Sequence, residues 1–235
     1  MYQPIEFRDN DPVRAYEHIT RNPFGILVAN NVTAEGARMS ATHLPFLLDD
    51  EDSPTGLVTH YAIRNKGLGA LRDGDEVLAI FPGPHAHVSP TWYKVEQSAP
   101  TWNYTAVHLT GIFRRTDPDR LHEILDRTVR RFEGDSPQSW PLSTIPEEKQ
   151  RSMMRAIVGF HIETVSIEGG YKLSQNKLGE DVQAIEHTLR HLGRPGDVEV
   201  ADEMVRAGLG GRTKPSSTDP NTWMGPLKEP VTTGR

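Results

Sequence analysis

The amino-acid sequence predicts a mainly β chain with helices, an α+β protein built on a closed or nearly closed antiparallel β-barrel. Three observations carry that reading. Short runs rich in aliphatic and β-branched residues succeed one another between residues 24 and 115, with turn-forming stretches between them. The hydrophobic period changes to that of a helix at Asp117 and returns to alternation over 158–170. The chain has 235 residues, and a domain of that order buries roughly 70% of its unfolded surface, enough for a core without staples.

Taken in order, a short extended lead ends at Asp11-Pro12, an N-cap followed by proline in the first helical turn. Val13, Tyr16 and Ile19 follow at helical spacing until Asn22-Pro23 stops the helix. Residues 24–31, 39–48 and 55–63 read as consecutive antiparallel strands, divided by Thr33-Ala34-Glu35-Gly36 and by the acidic turn from Asp49 to Pro54. Residues 76–83 and 85–93 continue the pattern as two more. The run 101–115 is longer, with Tyr104, Ala106, His108 and Thr110 alternating with Thr105, Val107, Leu109 and Gly111, and its length predicts a long, bent barrel strand.

From Asp117, Leu121, Ile124, Leu125, Val129 and Phe132 form one apolar helical face. A Gly/Ser/Pro stretch over 134–145 leads to a short basic helix from Glu147, and residues 158–170 form the last strand of six or seven. Val182, Ile185, Leu189 and Leu192 mark a helix closed by Gly193, and a further short helix is expected around 198–208. From Gly210, proline and polar residues replace apolar periodicity, so 210–235, with Trp223 and Met224, reads as a tail that is disordered or drapes over a partner. The expected division is a cofactor-binding barrel over 1–195, a helical extension over 196–209 and the tail.

Composition excludes several functions. Lys and Arg number 26 against 32 Asp and Glu, a net charge of −6, so no global basic field draws in nucleic acid. No segment approaches the ~18 apolar residues of a membrane span, and the first residues lack a signal peptide's basic and apolar regions. With no cysteine in the chain, thiol catalysis and disulfide scaffolds are excluded, and a cytoplasmic protein is expected.

The nucleotide-binding glycine loops, the serine-hydrolase elbow and the HExxH zinc motif are all absent. His85 and His87, two apart, share a strand face and could ligate a metal; otherwise one lines the barrel and the other bonds a loop carbonyl. His187 and His191 lie off their helix's apolar stripe and read as solvated. Polar-aromatic clusters at 42–48, 59–68 and 98–111 combine histidine, asparagine, cationic groups, threonine and tryptophan. That mixture suits a planar anionic ligand such as a flavin mononucleotide or a haem, with Trp92, Trp102 and His43 as ordinary core residues the alternative.

The motifs MYQPIEF, ATHLPFLL, GLVTHYAIRNK, FPGPHAHVSPTWY, APTWNYTAVHLTG and GFHIETVSIEGGYKLSQNK, spread in order over about residues 1–190, resemble the PaiB-type FMN-binding proteins known as negative transcriptional regulators. The resemblance implies a split β-barrel like that of pyridoxamine-phosphate oxidases, homodimeric, with cofactor pockets between subunits. It implies His43, His60, Asn65, Ser89, Trp92, Lys172, Gln175, Asn176 and Lys177 as cofactor-binding candidates, and His60, Trp102 and His108 as catalytic ones; Arg64 or Lys66 is a further cofactor-binding candidate, a cation beside a position where the family's own is lost. The chain departs from the family pattern at Ile63, Lys66 and Leu68, which replace an arginine, a proline and a tryptophan, at His87 for a tyrosine, and at Gly170 for a lysine.

Three readings follow from it. One is an FMN-binding barrel, either oxidoreductase-like or a small-molecule-responsive negative regulator, in which DNA contact is unexpected because no basic recognition helix is evident. The second, from the haem b-dependent piperazate synthase relatives, is N–N bond formation from an N-hydroxylated amine such as N5-hydroxyornithine, with His60 as axial ligand and His87 nearby. The third is a cofactor-free binding barrel.

Overall fold

The computed structural model describes residues 1–33, 36–95, 98–134 and 136–209, without the side chains of 31–33 and 37. The expected tail, with Trp223 and Met224, lies outside the described residues. The strands are β1 (Arg8–Asp9), β2 (Phe24–Thr33), β3 (Gly36–Pro45), β4 (Leu47–Leu48), β5 (Gly56–Ala62), β6 (Glu76–Val88), β7 (Thr101–Arg115) and β8 (Ile157–Lys172). The α-helices are α1 (Pro12–Arg21), α2 (Pro118–Glu133), α3 (Glu147–Met154), α4 (Gly179–Leu192) and α5 (Pro195–Arg206).

All eight strands form one antiparallel sheet in the order β3-β2-β6-β7-β8-β5-β4, with β1 added along β8. Its two ends are joined covalently. β3 finishes at Pro45 on one edge, and β4 starts at Leu47 on the other, paired to β5 through Leu47↔Val58 and Leu48↔Leu57. The barrel expected from the sequence therefore closes at Phe46, which is buried edge-on against Phe81 with ring centroids 5.2 Å apart.

Three strand expectations change. The run 39–48 is two strands rather than one, because the chain switches sheet edge at Phe46. Residues 76–83 and 85–93 are one strand, β6, whose pairing with β7 slips between Pro82 and His85. Pro82 and Pro84 have no N–H to donate to the ladder, and the extra residues are accommodated as a bulge. Pairing stops at Val88, and Pro90–Trp92 form a 3₁₀ turn capped by the Ser89 hydroxyl.

α1, α2 and α4 start and stop where the sequence says, whereas the last helix, expected around 198–208, spans Pro195–Arg206. Asp11 and Asp117 cap α1 and α2 by accepting from the Val13 and Arg120 amides at 3.0 and 2.8 Å. Gly193 ends α4 at φ 66, a left-handed conformation that glycine adopts without strain. Inside the barrel, Phe81, Phe113, Phe160 and Leu109 are fully buried, each contributing about 1.5–3 kcal/mol of burial. α1 plugs the barrel with Ala15, Tyr16 and Ile19, and Val182, Ile185 and Leu189 of α4 join Val200, Ala201 and Met204 of α5 in the same core. α2 lies over the outside of β5 and β8, burying Val58, Leu121 and Ile124 apart from the main core.

Candidate functional site

Cross-strand registers place most of the sequence-derived site residues on one outer sheet face. His43, Ile26, Ile80, His108 and Glu168 are consecutive partners across β3, β2, β6, β7 and β8 and form a single row. Parallel rows run Pro82–Ala106–Gly170, His85–Tyr104–Lys172 and His87–Trp102. Directly opposed residues in an antiparallel pair share a face, so His43, His87, Trp102, His108 and Lys172 all look outward from it. Ala106 and Gly170 leave a low floor between the Tyr104 and His108 rows; over Gly170 lies the Met1 thioether, 2.8 Å from where a Cβ would stand.

Unlike the outside of β5, this face has no helix over it among the described residues, and at its β8 end it is covered only by Met1, whose ammonium meets Glu168 at 2.9 Å. Ile26, Val28, Leu78 and Ile80 are only half-buried, and Phe24, Met39 and Trp102 are exposed. The sequence carried the signal for this: β2 and β6 are aliphatic on both alternating faces, as strands are when both sides become covered.

Trp102 is the centre of an aromatic cluster, with His85 and His87 centroids 6.0 and 5.9 Å from its own. Neither histidine lines the barrel, since both have outward parity; His85 Nδ1 approaches the Gly83 carbonyl at 3.4 Å. Among the described residues no group of three or more metal-ligating side chains occurs. His187 and His191 are exposed, as expected.

Lys172 hydrogen-bonds Thr101 Oγ1, and Lys177 donates to Ser98 Oγ at 3.2 Å and lies over the Tyr93 ring. Desolvation and the nearby Lys177 charge lower the Lys172 pKa. Burial likewise holds His108 below the usual histidine value, so at neutral pH it is an uncharged imidazole. Ser89 caps its 3₁₀ turn and Trp92 packs partly buried against the core. Gln175 braces the backbone, accepting from the Leu173 amide at 2.7 Å and donating to the Glu6 carbonyl at 3.0 Å, while Asn176 is exposed.

The other candidates stand elsewhere in the chain. Arg64, Asn65 and Lys66 lie in the turn after β5, where Asn65 accepts from the Gly67 amide at 2.9 Å and donates to Thr42 Oγ1 at 3.2 Å. His60 is opposite Gly159, whereas His108 is opposite Glu168 on the same strand. Nine residues at ~3.3 Å each make about 30 Å of strand between those positions. Within one chain, therefore, His60 is not brought together with Trp102 and His108. Its imidazole is half-buried, burial lowers its pKa, and Nδ1 is enclosed without a hydrogen-bond partner.

Sequence reasoning missed His18, fully buried in α1, although a histidine on the apolar face between Ala15 and Ile19 was a visible signal. It also missed a groove of about 940 Å³ between the 49–55 turn and α2. Asp49 organises that turn. Burial alone would raise its pKa, but hydrogen bonds from the Thr55 hydroxyl and the Gly56 and Thr55 amides outweigh this and lower it.

A family model described as "Putative FMN-binding domain" matches residues 1–166. The chain is 32% identical over 206 residues to the Bacillus subtilis protein called protease synthase and sporulation protein PAI 2, covering 87% of this chain and 96% of that one. It is 26% identical over 239 residues to an uncharacterized protein of Aspergillus fumigatus, covering 82% and 92%. Among solved structures, the FAD and heme binding protein from Mycobacterium smegmatis superposes with a TM-score of 0.53 at 15% identity, over 70% of this chain and 73% of that one. That likeness shows the split-barrel fold.

Proposed function

Because the chain belongs to the FMN-binding domain family, we propose that its uncovered β3-β2-β6-β7-β8 face receives FMN and that a second copy of the chain closes the face over it. The observation that supports this is the convergence of Trp102, His108, His43, His87 and Lys172 on one side of the sheet, over which no helix lies among the described residues.

The residues present fit the group. Lys172 and Lys177 stand close enough to depress the Lys172 pKa, and a phosphate between them relieves that repulsion through charge-assisted bonds. The Ser98 and Thr101 hydroxyls are within reach of the same two ammonium groups. Lysines from the end of β8 thus take over the cationic role that Ile63 and Gly170 leave open. Trp102 offers an exposed indole to a planar ring system. His108, neutral and half-buried, can take up or release a proton at an imidazole nitrogen. FMN, when bound, supplies hydride or single-electron transfer, and the half-buried aliphatic rows keep water from it once the face is covered.

The output of such a site is an oxidoreductase-like reaction or a regulatory response to a small molecule. The second fits the name of the Bacillus relative, which refers to protease synthesis and sporulation. The test is titration of the full chain with FMN, followed by flavin fluorescence, together with sedimentation analysis. Saturation at one FMN per chain with micromolar affinity is expected, in a dimer; an absence of binding in the micromolar range overturns the reading.

One observation favours a second reading. Burial lowers the pKa of His60 and favours a neutral imidazole, the form that ligates iron, and with Nδ1 enclosed the nitrogen left to meet a metal is Nε2. Haem b there would bring N–O chemistry within range of the fold. Loss of a Soret band on His60→Ala supports it, and an unchanged spectrum removes His60 as ligand.

A further inference from the structure

The outside of the barrel carries a second concave site. A pocket of about 430 Å³ opens between the α2–α3 arm and the first residues of β8, within the size range of small-molecule sites. Its floor is apolar, formed by Leu121, Met154, Ile157, Val158 and Pro118, and three arginines, Arg115, Arg151 and Arg155, line it. The single acidic residue in the lining, Asp117, has its carboxylate engaged on the Arg120 amide at 2.8 Å as the α2 cap.

The arginine charges are unevenly compensated. Arg151 pairs with Glu147 on the exposed side of α3. Arg115 donates to the Leu71 carbonyl at 2.9 Å and Arg155 to the Ser152 hydroxyl at 3.0 Å, neutral acceptors that leave both charges in place. Among the described residues neither guanidinium has a carboxylate partner; the Asp73 carboxylate accepts from the Arg115 backbone amide at 2.8 Å. At the inner end, Thr116 Oγ1 is enclosed without a hydrogen-bond partner, 2.5 Å from where a Cβ on Gly159 would stand. A buried hydroxyl left unsatisfied costs about 1–3 kcal/mol.

From this geometry we infer that the pocket binds a small amphipathic carboxylate, an aryl or medium-chain acyl acid. Its apolar body fills the floor and its carboxylate meets Arg115 and Arg155. The site lies at residues 157–159 of β8 and the flavin face at residues 168–172, so the two are separate and the inference does not rest on the FMN reading. A ligand there wedges between the α2–α3 arm and the barrel, which suits an effector.

Calorimetric titration of the full chain with phenylacetate and octanoate, with phenylacetamide as the neutral control, tests it. Expected are saturable binding of both acids, at least tenfold weaker binding of the amide, and a loss of about tenfold in affinity for Arg155→Gln and for Arg115→Gln, consistent with one charge-assisted bond each. FMN titration of the arginine variants should match the parent, which separates failure of this site from failure of the flavin face. No binding of either acid overturns the inference, and so does equal binding of acid and amide.

Discussion

His18 Nε2 lies 3.1 Å from the carbonyl oxygen of Phe81 and ties α1 to the strand just before the β6 bulge. A carbonyl only accepts, so Nε2 carries the proton and Nδ1 is a lone pair, enclosed and unpartnered. Thr105 Oγ1 is unpartnered as well, and both groups border Gly83.

The burial of that imidazole gives a pH dependence, which the bond to Phe81 partly opposes. Burial lowers the His18 pKa from 6.5, so in acid the unfolded chain takes up the proton first. Stability is at its plateau above pH 6.5 and declines as pH falls below it, until the folded-state pKa is passed. Burial also lowers the pKa of His60 and His108, which adds in the same direction. Urea denaturation at about pH 7.5 and about pH 5.5 should show the decline, and His18→Gln, which can still donate to Phe81, should flatten it. An unchanged slope in that variant would remove His18 as its source.

Gly83→Ala should destabilise the fold. The added Cβ would stand 2.2 Å from Thr105 Oγ1 and 2.6 Å from His18 Cε1, and neither neighbour has room to retreat. Overpacking of this kind costs about 1–3 kcal/mol, measurable as a lower melting temperature. An unshifted melt would mean that the bulge is loose.

Ile80→Lys places a charge in the middle of the uncovered row while leaving the barrel interior untouched, since Ile80 faces outward between Ile26 and His108. Sedimentation should show a shift from dimer to monomer with the circular dichroism spectrum retained. A variant that remains dimeric would place the subunit contact elsewhere.

Lys172→Ala should weaken FMN by roughly ten- to a hundredfold, the value of a charge-assisted bond of about 1.5–3 kcal/mol. Thr101, its present partner, is at the strand end, so folding should be unaffected. An unaltered FMN titration would move the phosphate to the turn carrying Arg64 and Lys66.

The long strand at 101–115 and the Asp-Pro starts of α1 and α2 were legible because they rest on local rules, two-residue alternation and side-chain capping. The bulge in β6 was only half legible: Pro82 and Pro84 signalled an interruption, but whether two strands or one bent strand resulted depended on β7 running uninterrupted alongside. Family motifs named Trp102, His108 and Lys172 without showing that they share a face with His43, whose row is set by four pairings among five strands.

The sequence by itself determined most of the strands, the helix caps, the family and an acidic chain without thiol chemistry, because each of these is written in neighbouring residues or in total composition. Only the tertiary structure decided that the barrel closes through Phe46, that His60 stands about 30 Å of strand away from His108, and that an arginine-lined pocket opens beside Gly159. Those facts depend on register between segments distant in sequence, and a register is fixed by the packing of both faces of a strand at once.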